Sequence, residues 1–348
     1  MTASRSMRMR TLAAVGAAAL IAVLAGCSSD DPDSGPTAGN TAAPGPNDGT
    51  GETVVIGFSG PAADHGWLGA INSAAQAQAD KYDDVEFRVA EGTNDANLQI
   101  SHIEQFINDG VDAIVLLPTD GAALTEAAIK AMEAGIPVIN VDREFSSPFA
   151  ARATILGDNY GMGVSAGTYI CEKLGGQSDA VVAEIAGIDS LPLTQDRTRG
   201  FNDALSDCGL SVSARVAADF TIAGGQAVTE QLLSANPKID AIWNHDDDQG
   251  LGVLAAIDEA GRSEFFMVGG AGSLNAMNSI KAGDTVLEAT VIYPSTQGAD
   301  GVALARLVAQ NKSLADIASQ GVPNRIVLNA PVVTAANVDE YLPIGFES

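Results

Sequence analysis

From about residue 53 onward, apolar positions follow two alternating patterns. Short runs rich in Val, Ile and Ala read as strands. The Ala-rich stretches between them repeat apolar residues every three or four positions and read as helices. Strands are predicted over 54–58, 85–90, 113–117 and 138–141, and helices over 69–81, 97–109 and 121–134. Leu98, Ile103, Phe106 and Ile107 form the apolar face of the second helix, and Gly135 closes the third. After a crossover near 156–159 the pattern restarts, with helices over 161–174, 196–205, 223–234, 251–260 and 276–282. Strands over 181–186, 211–217, 241–244, 266–269 and 288–292 alternate with them. Strands that are apolar almost throughout belong to parallel sheets covered by helices on both faces. About 290 residues exceed one such core, so two α/β domains are expected, each a Rossmann-like, doubly wound parallel sheet. In open α/β sheets ligands bind beyond the carboxyl ends of the strands, which directs attention to the residues after each strand.

After the first strand comes Pro61-Ala62-Ala63-Asp64-His65-Gly66-Trp67, an indole beside an imidazole and a carboxylate. That combination offers an apolar platform with hydrogen-bonding groups at its rim, although a Trp there could equally cap the core under the helix. After the fourth strand comes Asp142-Arg143, a carboxylate and a guanidinium fork able to bind adjacent hydroxyls. After 241–244 come His245, Asp246, Asp247 and Asp248. No Gly-centred calcium loop with a distal Glu follows that acidic run, and His65, His102 and His245 have no paired zinc spacing. Gly161-x-Gly163-x-x-x-Gly167 departs from the dinucleotide fingerprint, and no Gly-x-Ser-x-Gly elbow or Walker loop occurs. Neither a cofactor nor a metal is expected, and no catalytic residue stands out.

The leader changes the picture of where this domain pair works. Arg5, Arg8 and Arg10 precede an uncharged apolar run over 11–24, the pattern of an export signal and too short to span a bilayer. Leu24-Ala25-Gly26-Cys27 resembles the lipobox of bacterial lipoproteins, which implies acylation of Cys27 by a palmitate-type chain and attachment to the outer face of the cell membrane. Residues 28–51, rich in Ser, Asp, Gly, Pro and Thr, read as a flexible tether. With 18 basic and 44 acidic residues the formal charge is −26, and removing the three leader arginines takes it to −29. Such a field repels nucleic acid. Cys171 and Cys208 remain in an oxidising compartment, available to pair or to stay as buried thiols.

Several short motifs occur in a telling order: the first strand and its loop through Trp67, Ala134-Gly135-Ile136-Pro137-Val138 leading to Asp142-Arg143, and Gly157-Asp158-Asn159 with Gly163. Arg197-Thr198-Arg199-Gly200-Phe201 and the segment from Asp246 to Gly252 complete the series. Together they make residues 54–342 resemble the type I periplasmic binding proteins of the ribose-binding kind, the sugar receptors of ABC importers. The resemblance implies two lobes joined by three crossings near Leu156, Tyr293 and Ile326. The lobes would be 52–156 with 294–326, and 157–293 with 327–348, closing on a ligand in the cleft. It places ligand contacts on Asp64, His65, Trp67, Asp142, Arg143, Phe220 and Asp246. Three positions depart from the ribose binders. Gln195 stands where they carry a ligand-contacting Arg, Ala271 where they carry an Asp, and Ile292 or Tyr293 where they carry a Gln. The expected ligand is therefore a neutral pentose, hexose or C4–C6 sugar alcohol, its carbon skeleton held between Trp67 and Phe220. The expected partners are ABC permease subunits, with the membrane reached only through the lipid, and the chain is expected to be monomeric. A sensor presenting the loaded state to a chemoreceptor or kinase would use the same fold. A glycan-processing enzyme acting through Asp142 and Asp246 finds less support.

Overall fold

The computed structural model describes residues 47, 49–314, 318 and 321–348. The leader, the lipobox with Cys27 and most of the tether lie outside the described residues. The chain begins with β1 (Val54–Ser59), α1 (Gly66–Ala79), β2 (Val85–Val89), α2 (Ala96–Asp109), β3 (Ala113–Leu116), α3 (Gly121–Glu133), β4 (Val138–Val141) and β5 (Ala153–Gly157). It continues through α4 (Asn159–Leu174), β6 (Val182–Ala186), α5 (Pro192–Asp207), β7 (Val212–Ala217) and α6 (Ile222–Ala235). Then come β8 (Ala241–Asn244), α7 (Asp247–Glu259), β9 (Phe266–Ala271), α8 (Leu274–Ala282) and β10 (Leu287–Ile292). The last elements are α9 (Gln297–Ala309), β11 (Arg325–Leu328), β12 (Val332–Thr334) and α10 (Val338–Tyr341).

Two sheets result, with strand orders β11-β5-β4-β3-β1-β2 and β12-β10-β9-β8-β6-β7. All pairings in the first are parallel, and in the second only β12 runs antiparallel, against β10. Apart from the added edge strand, both sheets repeat one doubly wound order, with the reversal of strand order beside the first strand of each half. Central strands β3, β4 and β8 are buried at every position, which accounts for their unbroken apolar runs. Asp95, Asp120, Asp158, Thr221, Asp246 and Ser273 cap the helices that follow them.

The chain passes between sheets after β5, β10 and β11. The crossing expected at Ile326 falls inside β11 and moves to the residues after Leu328, because Arg325–Leu328 pairs in register with Thr154–Gly157 of β5. Helix α5 starts at Pro192, where a proline suits the first helical position, four residues ahead of the predicted start. Cys171 on α4 and Cys208 after α5 are joined by a disulfide, on the pair of helices that packs most extensively.

The tether is not free along its whole expected length. Arg306 of α9 and Asp84 form a buried ion pair at 2.6 Å, with side chains only 3% and 1% exposed. The same guanidinium lies 4.4 Å above the Tyr82 ring and donates to the carbonyls of Asn47 and Gly49 at 2.9 Å each. Hydrogen bonding to Arg306 holds the Asp84 carboxyl far below its usual value. The expected boundary near residue 53 therefore moves back to about Asn47. The arginine that docks this segment lies more than 250 positions away, where segment composition carries no trace of it. Replacing Arg306 by Met should destabilise the protein by about 3–5 kcal/mol in urea unfolding, since it strands Asp84 as a buried unpaired charge.

Candidate functional site

The ends of β1 and β4 form one wall of a small internal cavity, through His65, Trp67, Asp142 and Arg143. Opposite stand Leu193 and Arg197 of α5, Phe220 after β7 and Asp246 after β8, with Tyr293 from the crossing after β10 closing the side. Asp142 and Phe220 have positive φ (65° and 67°), as does Ala271 (96°) at the end of β9. Left-handed backbone at non-glycine residues is strained and gathers where a fold over-determines a site.

Each polar group is oriented from behind. Arg143 Nη1 donates to the Thr119 carbonyl at 2.8 Å, while its Nε lies 3.7 Å from Asp142 Oδ2. That Nε is buried and has no hydrogen-bond partner among the described residues. Asp246 caps α7, its Oδ1 accepting from the backbone N–H groups of Asp248 (2.9 Å) and Gln249 (3.1 Å). Burial pushes its carboxyl up, and the charge of Asp248 adds to the rise. Arg197 Nε donates to Asn159 Oδ1 at 2.9 Å and its Nη1 to the His245 carbonyl at 3.1 Å. Tyr293 Oη donates to Asp142 and accepts from Asn159 Nδ2 at 3.1 Å.

Two expected contacts do not reach the cavity. Asp64 is about half exposed and instead binds His65 Nδ1 at 2.7 Å, turning the imidazole inward. Gln195 points away, its side-chain amide donating to the Asp189 carbonyl at 3.1 Å. The early start of α5 is the physical reason. Leu193 and Arg197 are four residues apart on one helical face, and Gln195, midway between them, falls on the other. Arg197, two residues further on, is the arginine of α5 that lines the cavity, and its spacing from Leu193 was the signal available. Ala271 brings no carboxylate to its strand end. The loop there is tied by Asp247, which accepts from the N–H groups of Gly270 (2.9 Å), Gly272 (2.8 Å) and Ser273 (2.9 Å).

Under Arg197 lies a network centred on the fully buried pair His245 and Glu184, with Thr198 and the partly exposed Arg215 at its edge. His245 Nε2 is 2.9 Å from Glu184 Oε1, which also accepts from Thr198 Oγ1 at 2.5 Å, and Arg215 Nε is 3.2 Å from Glu184 Oε2. Burial pulls the His245 imidazole down to about 4. Burial works to raise Glu184, but the hydrogen bond and charge of His245 and the hydrogen bond of Thr198 bring it below its usual value. Among the described residues no group of three or more His, Cys, Asp or Glu is placed to hold a metal ion.

The sequence profile described as "Periplasmic binding protein domain" matches residues 56–313. The ribose import binding protein of Bacillus subtilis is 32% identical over 245 residues, 70% of this chain and 78% of the relative. An ABC transporter solute-binding protein of Bacillus halodurans, solved with bound myo-inositol, superimposes with a TM-score of 0.75 at 26% identity, covering 84% of this chain and 98% of that one. A Mycobacterium smegmatis protein solved with β-D-fucofuranose gives 0.75 at 26% identity, covering 84% and 94%.

The buried imidazole carries a pH dependence. His245 stays neutral in the fold down to about pH 4, whereas in the unfolded chain it protonates near 6.5. Acid in that interval favours the unfolded state. The stability advantage of the wild type over His245→Gln should therefore shrink as pH falls from 7 to 4, by on the order of 3 kcal/mol, and level off below. Paired thermal melts across that range measure it.

Proposed function

This chain belongs to the periplasmic binding protein family, and from that premise we propose that it is the solute-binding component of an ABC importer for a small neutral carbohydrate or sugar alcohol. The observation that carries the reading is the set of groups meeting at the cavity. Two carboxylates, Asp142 and Asp246, face two guanidinium groups, Arg143 and Arg197. Their formal charges balance, so the site asks for a ligand without net charge but with groups that both donate and accept. Hydroxyls do both: they donate to the carboxylates and accept from the arginines, the buried Nε of Arg143 among them. The aromatic side chains supply apolar surface for C–H groups. Ligands named for the relatives, ribose, myo-inositol and fucofuranose, are of this class.

The walls belong to different sheets, so a bound solute favours closure by bridging them, and permease subunits would be the recipients of the closed form. Cys27 would carry the lipid that keeps the receptor at the outer face of the membrane. This reading makes the protein a monomeric receptor and not an enzyme, since its charged groups hold hydroxyls and none is assigned a bond to break.

A thermal-shift screen of pentoses, hexoses and alditols tests the assignment, because a ligand specific to the fold stabilises by RT ln(1 + [L]/Kd). At least one of them should raise the Tm, and Asp142→Asn or Arg143→Gln should weaken that ligand about 10- to 100-fold, the effect of stranding one charged hydrogen-bond partner. No stabilisation by any member of the panel refutes the reading. In cells, Cys27→Ser should move the protein from the membrane fraction to the soluble one.

A further inference from the structure

We propose, building on the receptor reading above, that Tyr293 restricts this site to short acyclic polyols of about four or five carbons and excludes sugar and cyclitol rings. The half-open recess between the walls leaves about 20 Å³ for water-sized groups, the room of one or two water molecules. Its size depends on how far the surrounding side chains can give way, and Tyr293 is the one that cannot.

Seven contacts fix it. Its backbone N–H donates to the Ala271 carbonyl at 3.1 Å, and its carbonyl accepts from Trp67 Nε1 at 3.1 Å. Its hydroxyl is shared between Asp142 and Asn159. One side of the ring meets Trp67, with centroids 5.3 Å apart, and the Arg197 guanidinium lies 4.5 Å from its centroid. The ring also lies against Gly157, where a Cβ would come within 2.1 Å of it. That glycine admits the phenol where a side chain would expel it.

The aromatic surfaces are thus already used. Holding a sugar ring between two aromatic faces needs two carbon contact layers of 3.5–4.0 Å, a centroid separation of about 7–8 Å. Trp67 and Tyr293 are 5.3 Å apart, and His65 stacks on Phe220 at 6.4 Å. Neither pair opens a slot for a ring, and Trp67 and Phe220, the expected grip, line the cavity with each already packed on another ring. The charged groups are partly engaged as well: Asp142 by Tyr293, Arg197 by Asn159 and His245, Asp246 by the α7 N-terminus. What remains suits three to five hydroxyls on a flexible chain that can thread between side chains.

A larger space of about 510 Å³ adjoins the cavity and shares Asp142, Arg143 and Leu193 with it. Its other charges are Asp120 and Asp158, whose carboxylates cap α3 and α4, and the exposed pairs Glu144 with Arg325 and Asp196 with Arg199, so its charged groups are already engaged.

The test is a calorimetric or thermal-shift ladder of glycerol, erythritol, D-threitol, xylitol, ribitol, D-mannitol, D-ribose, D-allose and myo-inositol against the wild type, Tyr293→Phe and Tyr293→Gln. The wild type should bind a four- or five-carbon alditol at least ten-fold more tightly than ribose, allose or inositol. Tyr293→Phe keeps the ring and should keep that order. Tyr293→Gln opens the space and should gain at least ten-fold for ribose relative to the alditols. Wild-type binding of any ring compound as tightly as the best alditol overturns the size limit while leaving the receptor reading intact. An unchanged ladder in Tyr293→Gln overturns the role of Tyr293. No binding by any compound overturns both readings, and the wild-type and Tyr293→Phe ladders decide the matter should Tyr293→Gln fail to fold.

Discussion

The hydrogen bonds of Tyr293 join parts of the chain that neither sheet could hold together alone. Its hydroxyl connects Asp142 at the end of β4 to Asn159 at the start of α4, and its carbonyl receives the indole of Trp67 from α1. Asn159 in turn accepts from Arg197. One buried phenol therefore links the first half to the second at the place where the chain crosses between them, with Asp142 one hydrogen bond from it and Arg197 two. In a low-dielectric interior such a network has force only when each member is satisfied. That condition accounts for the room Gly157 leaves for the phenol and for the strained left-handed backbone at Asp142.

The strain is tolerable because of what lies beneath it. Asp142 and Ala271 sit at the ends of strands that are buried from end to end or nearly so, anchored by parallel ladders. A rigid sheet can hold one awkward residue at its carboxyl end, where a loop or a single helix would relax. Phe220 follows the partly exposed edge strand β7 and is held by its neighbours instead: its N–H donates to Gln249 Oε1 at 3.0 Å, and its ring sits where a Cβ on Gly187 would be 2.0 Å away.

How much of this was legible in the sequence depended on distance along the chain. The alternation of apolar strands and Ala-rich helices is a local signal, and it conveyed the doubly wound architecture and the strand ends that bear function. Helix starts are local too, yet Pro192 was passed over as the start of α5; the contact expected of Gln195 came from the resemblance to ribose binders, and the helix turns that side chain to the Asp189 carbonyl. The elements after Ile292 were not foreseen, since α9 carries Gly298 and Gly301 in its first turns, and β11 and β12 are short edge strands of mixed exposure. Least legible were partnerships across the chain: Arg306 with residues 47 and 49, Tyr293 with Asp142, Glu184 with His245. Each is a contact between types that are common separately, and only the fold brings them together.

The acidic run at 246–248 shows how far composition and role can part. Three consecutive carboxylates in the first turn of a helix repel one another and suggest a cation. The backbone sends each somewhere else. Asp246 caps α7 and faces the cavity, Asp247 gathers the N–H groups of the β9 loop, and Asp248 reaches across to the Trp67 N–H at 2.9 Å. The last contact matters for closure, because His65 at the N-cap of α1 makes no side-chain cap bond. The first turn of α1 would otherwise present its N–H groups to a closing cleft without a partner. A carboxylate from the opposite half supplies one at the positive end of the helix dipole. Backbone donors and helix ends thus offset the mutual repulsion of the three aspartates. The contact from Asp248 to Trp67 joins the two halves, so part of that compensation depends on how they meet.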